Sequence, residues 1–230
     1  MIDSTASILE LYTQVIDKDS TRNNISRKDF NLGIRNMVEA YAPMVPDFES
    51  NISVRKFTDF SIPGYRCAYL HKYAPLHTYV VLDTMKEFIK EQTPLFEAML
   101  KSKKFKLCCL GGGPGSDAVG VLAALHTVFT SFKSSVTIID YIEEWKNTFD
   151  LITDHLRSAE YGMQWNDCDF NYIGADLLNF QCTTVSAVNS ITIHTVNNTI
   201  NTASLITMIK FISAAACANT EQMVEVSSFY

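Results

Sequence analysis

The chain has 230 residues and a mass of 25.9 kDa, enough for one large domain or a compact domain with an appended subdomain. Hydrophobic residues make up 47% and charged residues 19%, which excludes a disordered chain. The net charge of −6 gives no general footprint for nucleic acid, and no apolar run approaches the ~20 residues of a membrane span.

The first hundred residues read as helical. Leu9, Leu11, Val15 and Ile16 predict a short amphipathic helix. Ser26, followed three residues later by Asp29, has the form of a capping box with Asp in place of Glu. Leu32, Ile34, Met37, Val38 and Tyr41 then form a helical stripe that ends near Pro43 and Pro46. The stretch from Asp47 to Pro63 reads as loop. The stretch from Tyr65 to Tyr79 is aromatic and basic, and His77 to Leu100 predicts a long helix interrupted or bent near Pro94.

The pattern changes after Lys101. Phe105 to Leu110 is a short apolar run that fits a buried strand, broken by Gly111-Gly112-Gly113-Pro114-Gly115. Ser116 to Phe129 reads as a helix with Val119, Leu122, Ala123 and Leu125 on one side. Ser135 to Ile139 is a second strand, Glu143 to Leu156 a second helix and Cys168 to Ile173 a third strand. Strands alternating with helices imply a parallel sheet. The expected architecture is therefore α/β: a Rossmann-like parallel sheet flanked by helices, in residues 101–230, behind an N-terminal helical subdomain or substrate region in residues 1–100.

Six cysteines show no C-x-x-C pair and no clustering with the five histidines. Reduced, partly buried thiols are expected rather than disulfides or a metal site. Cys108 and Cys109, adjacent in a strand, should point to opposite faces of the sheet. Lys101, Lys103, Lys104 and Lys106 form a basic cluster, read as a solvated helix end in preference to a nucleic-acid site.

The glycine-rich turn carries the sharpest signal. It follows a strand and opens a helix, whose free N–H groups and positive dipole end suit a ligand lying on the chain. A phosphate P-loop is excluded because Asp117 and Ala118 follow where Lys and Ser/Thr are required. A dinucleotide fingerprint needs a glycine at position 116, which is Ser. A tight loop without ligand is the competing reading. The spacing Gly111, Gly113, Gly115 resembles motif I of class I S-adenosylmethionine-dependent methyltransferases. In that arrangement an acid ending the second strand serves the ribose, and Asp140 stands there, with Glu143 and Glu144 as near alternatives. An acid after the third strand lies near the adenine, and Asp176 fits. A strand-end carboxylate for Asp140 and a turn cap for Asp176 are the plainer alternatives.

Further segments match. Gly64 to Leu70, Tyr73 to His77, Leu110 to Asp117 and Leu205 to Phe211 together resemble a little-characterised eukaryotic branch of this superfamily. The resemblance implies a methyltransferase that uses S-adenosylmethionine, bound by Gly111, Gly112, Gly113, Pro114, Gly115, Asp140 and Asp176. The acceptor is an RNA, a protein or a small molecule, with Tyr65, Arg66, Tyr69, Tyr73 and His77 as candidates to line its slot. His77 is the acid–base candidate, against a packing role for the whole stretch. No residue is assigned as the general base, and no metal is expected. The setting implied is cytoplasmic, with the nucleus left open, and without a membrane.

The chain departs from the family in two places. Ser204 stands where an acid usually precedes the fourth strand, and the Asn/Asp-Pro-Pro-aromatic tetrapeptide of amino-group methyltransferases is absent. A full sheet of this class needs on the order of 70 residues after the fourth strand begins, and residues 205–230 number 26. An alternative parse places strand four at Ser190 to Val196, a helix at Leu205 to Ala216 and strand five at Met223 to Val226, with the Thr/Asn-rich stretch from Thr183 to Thr202 as loop or insertion under the first parse. The C-terminal part of the sheet is thus expected to be incomplete. That would leave an edge open to a protein partner and motivates a second functional expectation, a catalytically inactive methyltransferase-fold binding protein.

Overall fold

The computed structural model describes residues 5–40, 58–102, 104–158, 165–177 and 187–209. Five helices come first: α1 (Thr5–Arg22), α2 (Arg27–Ala40), α3 (Pro63–Lys72), α4 (Ala74–Glu91) and α5 (Thr93–Ser102). Then β1 (Phe105–Leu110), α6 (Ser116–Val128), β2 (Ser134–Asp140), α7 (Trp145–Arg157), β3 (Cys168–Gly174), α8 (Ala187–Asn201) and β4 (Leu205–Thr207) follow. The four strands form one all-parallel sheet in the order β3-β2-β1-β4. None of the described helices is long and apolar enough to cross a membrane.

Local chemistry explains the helix ends. α1 runs for 18 residues, longer than its apolar stripe suggests, and buries Ile8, Leu11, Tyr12 and Val15, while Leu9 stays exposed. It stops where Asn24 adopts the left-handed conformation, φ 50°. There the Ile25 N–H donates to the Ser20 carbonyl and the Asn24 N–H to that of Thr21, the two bonds of a Schellman ending. The expected capping box forms: the Asp29 N–H donates to Ser26 Oγ at 3.2 Å, and the Ser26 N–H donates to Asp29 Oδ2 at 3.1 Å. Within α2, Met37 is buried but Leu32 and Val38 face out. The helical stretch expected from His77 to Leu100 starts earlier, at Ala74, and is interrupted beside Pro94 as expected, before Thr93. Pro75 sits in the first turn of α4, where a missing N–H costs nothing, and Pro94 does the same for α5. Thr93 Oγ1 donates to the Ile89 carbonyl and closes the end of α4.

α6 is buried along residues 116–125 on nearly every side, beyond the single stripe expected. Residues of α1 to α5 join those of α6, α7 and one sheet face in a continuous apolar cluster. α4 packs along α6, and α1 against α3, α4 and α7. Cys109 lies in this cluster and Cys108 in a second one on the opposite face, as strand alternation requires. The second cluster is built with α8. The alternative strand at residues 190–196 is overturned, because this segment and most of the Thr/Asn-rich stretch belong to the helix Ala187–Asn201. Val196 is buried and Ile193 and Ile200 are half-buried, a spacing of three and four that suits a helix. The fourth strand is instead Leu205–Thr207, paired with β1. Residues 47–57 of the loop expected at Asp47 to Pro63, and the strand expected at Met223 to Val226, lie outside the described residues, as do Cys182 and Cys217.

Candidate functional site

β1 runs straight into the glycine turn. The Gly111 N–H donates to the Ile139 carbonyl at 2.8 Å, the last rung between β1 and β2. Gly111, Gly113 and Gly115 all have positive φ, at 62°, 51° and 85°, a conformation that costs other L-residues energy. The alternation of glycines is therefore a backbone requirement. Gly115 has a second constraint: a Cβ there would lie 2.8 Å from the Phe149 ring. The turn closes through Gly115 N–H to Gly112 carbonyl at 2.8 Å, and α6 starts with Val119 N–H on the Gly115 carbonyl at 3.0 Å.

Asp140 ends β2 beside this turn and is buried. Its carboxylate does not stand open towards solvent. Oδ2 accepts the Gly113 N–H at 2.8 Å, and Oδ1 accepts the Ile142 N–H at 3.0 Å. Burial pushes this carboxyl up from its ordinary pKa, and backbone donors at Ile142, Gly113 and Tyr141 oppose that shift. The Asp140 carbonyl accepts the Ala175 N–H at 2.9 Å, which ties the end of β2 to the segment that carries Asp176. Asp176 is exposed. Tyr141, next to Asp140, is 66% exposed. Burial raises its hydroxyl pKa, with lesser contributions from Asp140, Asp59 and Asp176. Sequence reasoning missed Tyr141; its signal was an aromatic residue directly after the strand-end acid.

The aromatic stretch divides. Tyr69 packs edge-on against Phe60 and Trp145, with ring centroids 5.5 and 5.4 Å away. Trp145 lies over the turn, its Nε1 3.6 Å from where a Gly113 Cβ would stand. The Tyr69 hydroxyl is 3.1 Å from His77 Nδ1, and Tyr73 stacks on the His77 ring at 16°. Tyr69 and His77 thus stand at the turn, and Tyr73 stacks on His77. The other two candidates do not join them. The Asn36 amide donates to the Tyr65 hydroxyl on the side of α2. Arg66 is buried, and its guanidinium donates to the carbonyls of Phe60 and Ser61, both at 2.8 Å. Arg66 therefore holds the segment that delivers Phe60.

Two further residues emerge only in three dimensions. Asp117, second in α6, is 6% exposed and accepts a hydrogen bond from Thr207 of β4. Thr78 of α4 donates to the Ser116 carbonyl at 2.9 Å, so the Tyr12 hydroxyl, 2.7 Å from Thr78 Oγ1, is the donor of that pair. The start of α6 is thereby pinned by α1 and α4.

An open cleft, about 250 Å3 with the adjoining solvent space counted in, lies at this place, lined by Gly111, Gly112, Ser116, Asp117, Tyr69, His77 and Ile209. Ile209 follows β4, so the cleft sits between the ends of β1 and β4. That is where the winding of the chain reverses, since β2 and β3 lie on the other side of β1. Open parallel sheets bind ligands outside the carboxyl ends of their strands at such a reversal. Among the described residues, no lysine or arginine lines the cleft. A larger groove of about 460 Å3 is lined by Lys106, Cys108, Ser135, Thr137, Asn198 and Thr202 among others. It lies along α8 and has no glycine turn. Compared with known proteins, the chain matches no family model, no curated protein and no solved structure.

Proposed function

We propose that the protein is an S-adenosylmethionine-dependent methyltransferase built on a Rossmann-like sheet. The observation that carries this reading is the cleft at the winding reversal, which the glycine turn enters with Gly111 and Gly112 and which Tyr69 and His77 flank, with no lysine or arginine among the described residues of its lining. A phosphate-bearing dinucleotide or nucleotide calls for N–H donors backed by positive charge. Here the charged groups nearby are the carboxylates Asp117 and Asp140, which suit a cationic, phosphate-free ligand. Tyr69, Tyr73 and His77 add ring surface that favours a sulfonium.

Gly111, Gly112, Gly113, Pro114 and Gly115 would hold the amino-acid portion of the donor, Asp140 the ribose, and the rim of Tyr141 and Asp176 the adenine. The donor supplies a methyl group already activated by its positive sulfur. The chain has to align donor and nucleophile and keep water out, a task suited to the Phe60–Tyr69–Trp145 cluster over the turn. His77, held by Tyr69, is the group near the turn suited to taking a proton from a weakly acidic acceptor.

The test is calorimetric titration of the full chain with S-adenosylhomocysteine, alongside a Gly113→Leu variant. Saturable binding is expected, and Gly113→Leu should abolish it, because a leucine side chain at φ 51° runs into the Trp145 indole. Folded protein that binds nothing sinks the reading, and unchanged affinity in the variant refutes the assigned site. One observation favours a second reading, a binding protein without catalysis: both Asp140 oxygens are already engaged by the chain's own N–H groups. Binding of the donor with no transfer of its labelled methyl to any component of a cell extract would select that reading.

A further inference from the structure

Asp117 is a carboxylate enclosed at the floor of the cleft. Beside its own N–H, three donors from other residues reach it: the Thr207 hydroxyl from β4, the Cys109 thiol from β1, and the Ala118 N–H at 3.0 Å. All three are neutral. The ion pairs among the described residues are Lys90–Glu87, Lys101–Glu97, Lys104–Asp169 and Lys146–Asp150, and none includes Asp117. A buried carboxylate without a cation is costly, and it is relieved by gaining a proton or by the arrival of positive charge. Among the described residues the lining of the cleft offers that second route only to a ligand, since Asp117 shares it with Tyr69, His77, Ser116, Ile209, Gly111 and Gly112.

We infer that Asp117 is the charge-selecting residue of this cleft, so that the cleft prefers a ligand with a permanent positive centre to the same ligand made neutral. The inference rests on the S-adenosylmethionine reading and adds a direction to it. In methyl transfer the nucleophile's lone pair forms the new bond to carbon. The C–S bonding pair passes to sulfur, leaving a neutral thioether. The positive charge goes to the methylated acceptor or leaves it as a proton. The spent donor therefore loses its attraction to Asp117 in the step that makes it, and the cleft discharges product in favour of fresh donor.

Burial raises the Asp117 pKa, while the bonds from Thr207, Ala118 and Cys109 oppose the rise. The titratable groups around it are Cys108 and Cys109 from β1, Asp140 from β2 and Tyr12 from α1. Tyr69 and His77 stand across the cleft.

The experiment measures dissociation constants of the full chain for S-adenosylmethionine and S-adenosylhomocysteine at pH 8. The two differ at the sulfur by a methyl group and its charge. Wild type should prefer the sulfonium by about tenfold or more, as expected for charges several ångströms apart in a partly buried site. Asp117→Asn should bring the ratio to within about threefold. Should that variant fail to fold, a pH series decides on a His77→Gln background, which removes the imidazole that titrates in the same range: the preference must shrink as the pH is lowered. Equal affinities in wild type overturn the inference while leaving the donor site standing, and so does a preference that survives Asp117→Asn. If neither compound binds, the methyltransferase reading falls and takes the inference with it.

Discussion

Gly115→Ala isolates what the last glycine of the turn does. Two costs act there. An alanine at φ 85° is in the left-handed region, at about 1–2 kcal/mol. Its Cβ would also stand 2.8 Å from two carbons of the Phe149 ring, and that ring is only 2% exposed, so it has no solvent to retreat into. Overpacking of this kind costs about 1–3 kcal/mol. Loss of glycine entropy in the unfolded chain returns about 0.4–1 kcal/mol. The net expectation is about 2–4 kcal/mol, a fall in Tm of roughly 4–16 °C for a chain of this size. Gly113→Ala shares the torsional cost, but its Cβ meets nothing nearer than the Trp145 indole at 3.6 Å. It should lose only a few degrees. The assay is thermal unfolding of both variants, then of Gly115→Ala combined with Phe149→Leu. The smaller side chain should cost less in the Gly115→Ala background than in wild type, by a coupling of about 1–3 kcal/mol. Equal losses in the two alanine variants, or a coupling under about 0.5 kcal/mol, would refute the claim that the turn is packed against Phe149.

Thr78→Val removes the donor to the Ser116 carbonyl and the acceptor of the buried Tyr12 hydroxyl; it should cost about 2 kcal/mol or more in chemical denaturation, and Tyr12→Phe should cost less in that background than alone. Asp117 has a raised pKa in the folded state, so the stability it contributes is complete below its unfolded pKa near 4 and is lost as pH rises through the folded value. The Tm of Asp117→Asn relative to wild type should therefore climb between pH 4 and pH 7, and a flat or falling difference would count against a buried charge. Cys67, Cys108, Cys109 and Cys168 are buried and free, and burial pushes Cys108 up to about 12 and Cys168 to about 11. A thiol reagent on native protein at pH 8 should titrate at most the remaining two of the six cysteines; a third reacting thiol without unfolding would contradict the packing.

The part of the fold that was legible in sequence is the part set by local punctuation. The apolar run Phe105–Leu110 meets five residues that only glycine and proline supply, and the strand ends there. Ser26 and Asp29 close their box within three residues. What escaped was decided by partners distant in the chain. Val196 and Ile200 lie among threonines and asparagines, β-branched or turn-forming types that favour strand or loop, and only their packing with Cys108, Leu110 and Ile139 makes the segment a helix face. Tyr65, Arg66 and Tyr69 sit within one turn and a quarter of α3, yet they serve three neighbours: α2, the 58–62 segment and the glycine turn. Nothing in their spacing assigns them. Asp117 draws its hydroxyl donor from Thr207, 90 residues on.

The sheet itself explains why charge matters most at the glycine end. Parallel sheets are ordinarily dry on both faces, but here the α8 side is graded along the strands. Lys106, Ser135 and Asp169 lie side by side at the amino end, then Cys108, Thr137 and Asn171, and finally Leu110, Ile139 and Ile173 at the carboxyl end. Val196, Ile200 and Met208 pack on that last row. Both faces are therefore apolar only where the strands open into the turn. A carboxylate placed there works in a lower local dielectric than one at the amino end, and its field reaches a ligand with less screening. The N-terminal helices complete this enclosure, since Tyr12 and Thr78 fasten α1 and α4 to the first residue of α6. The helical half of the chain is thus a structural requirement of the cleft: weakening that fastening at Thr78 should loosen ligand binding as well as the fold.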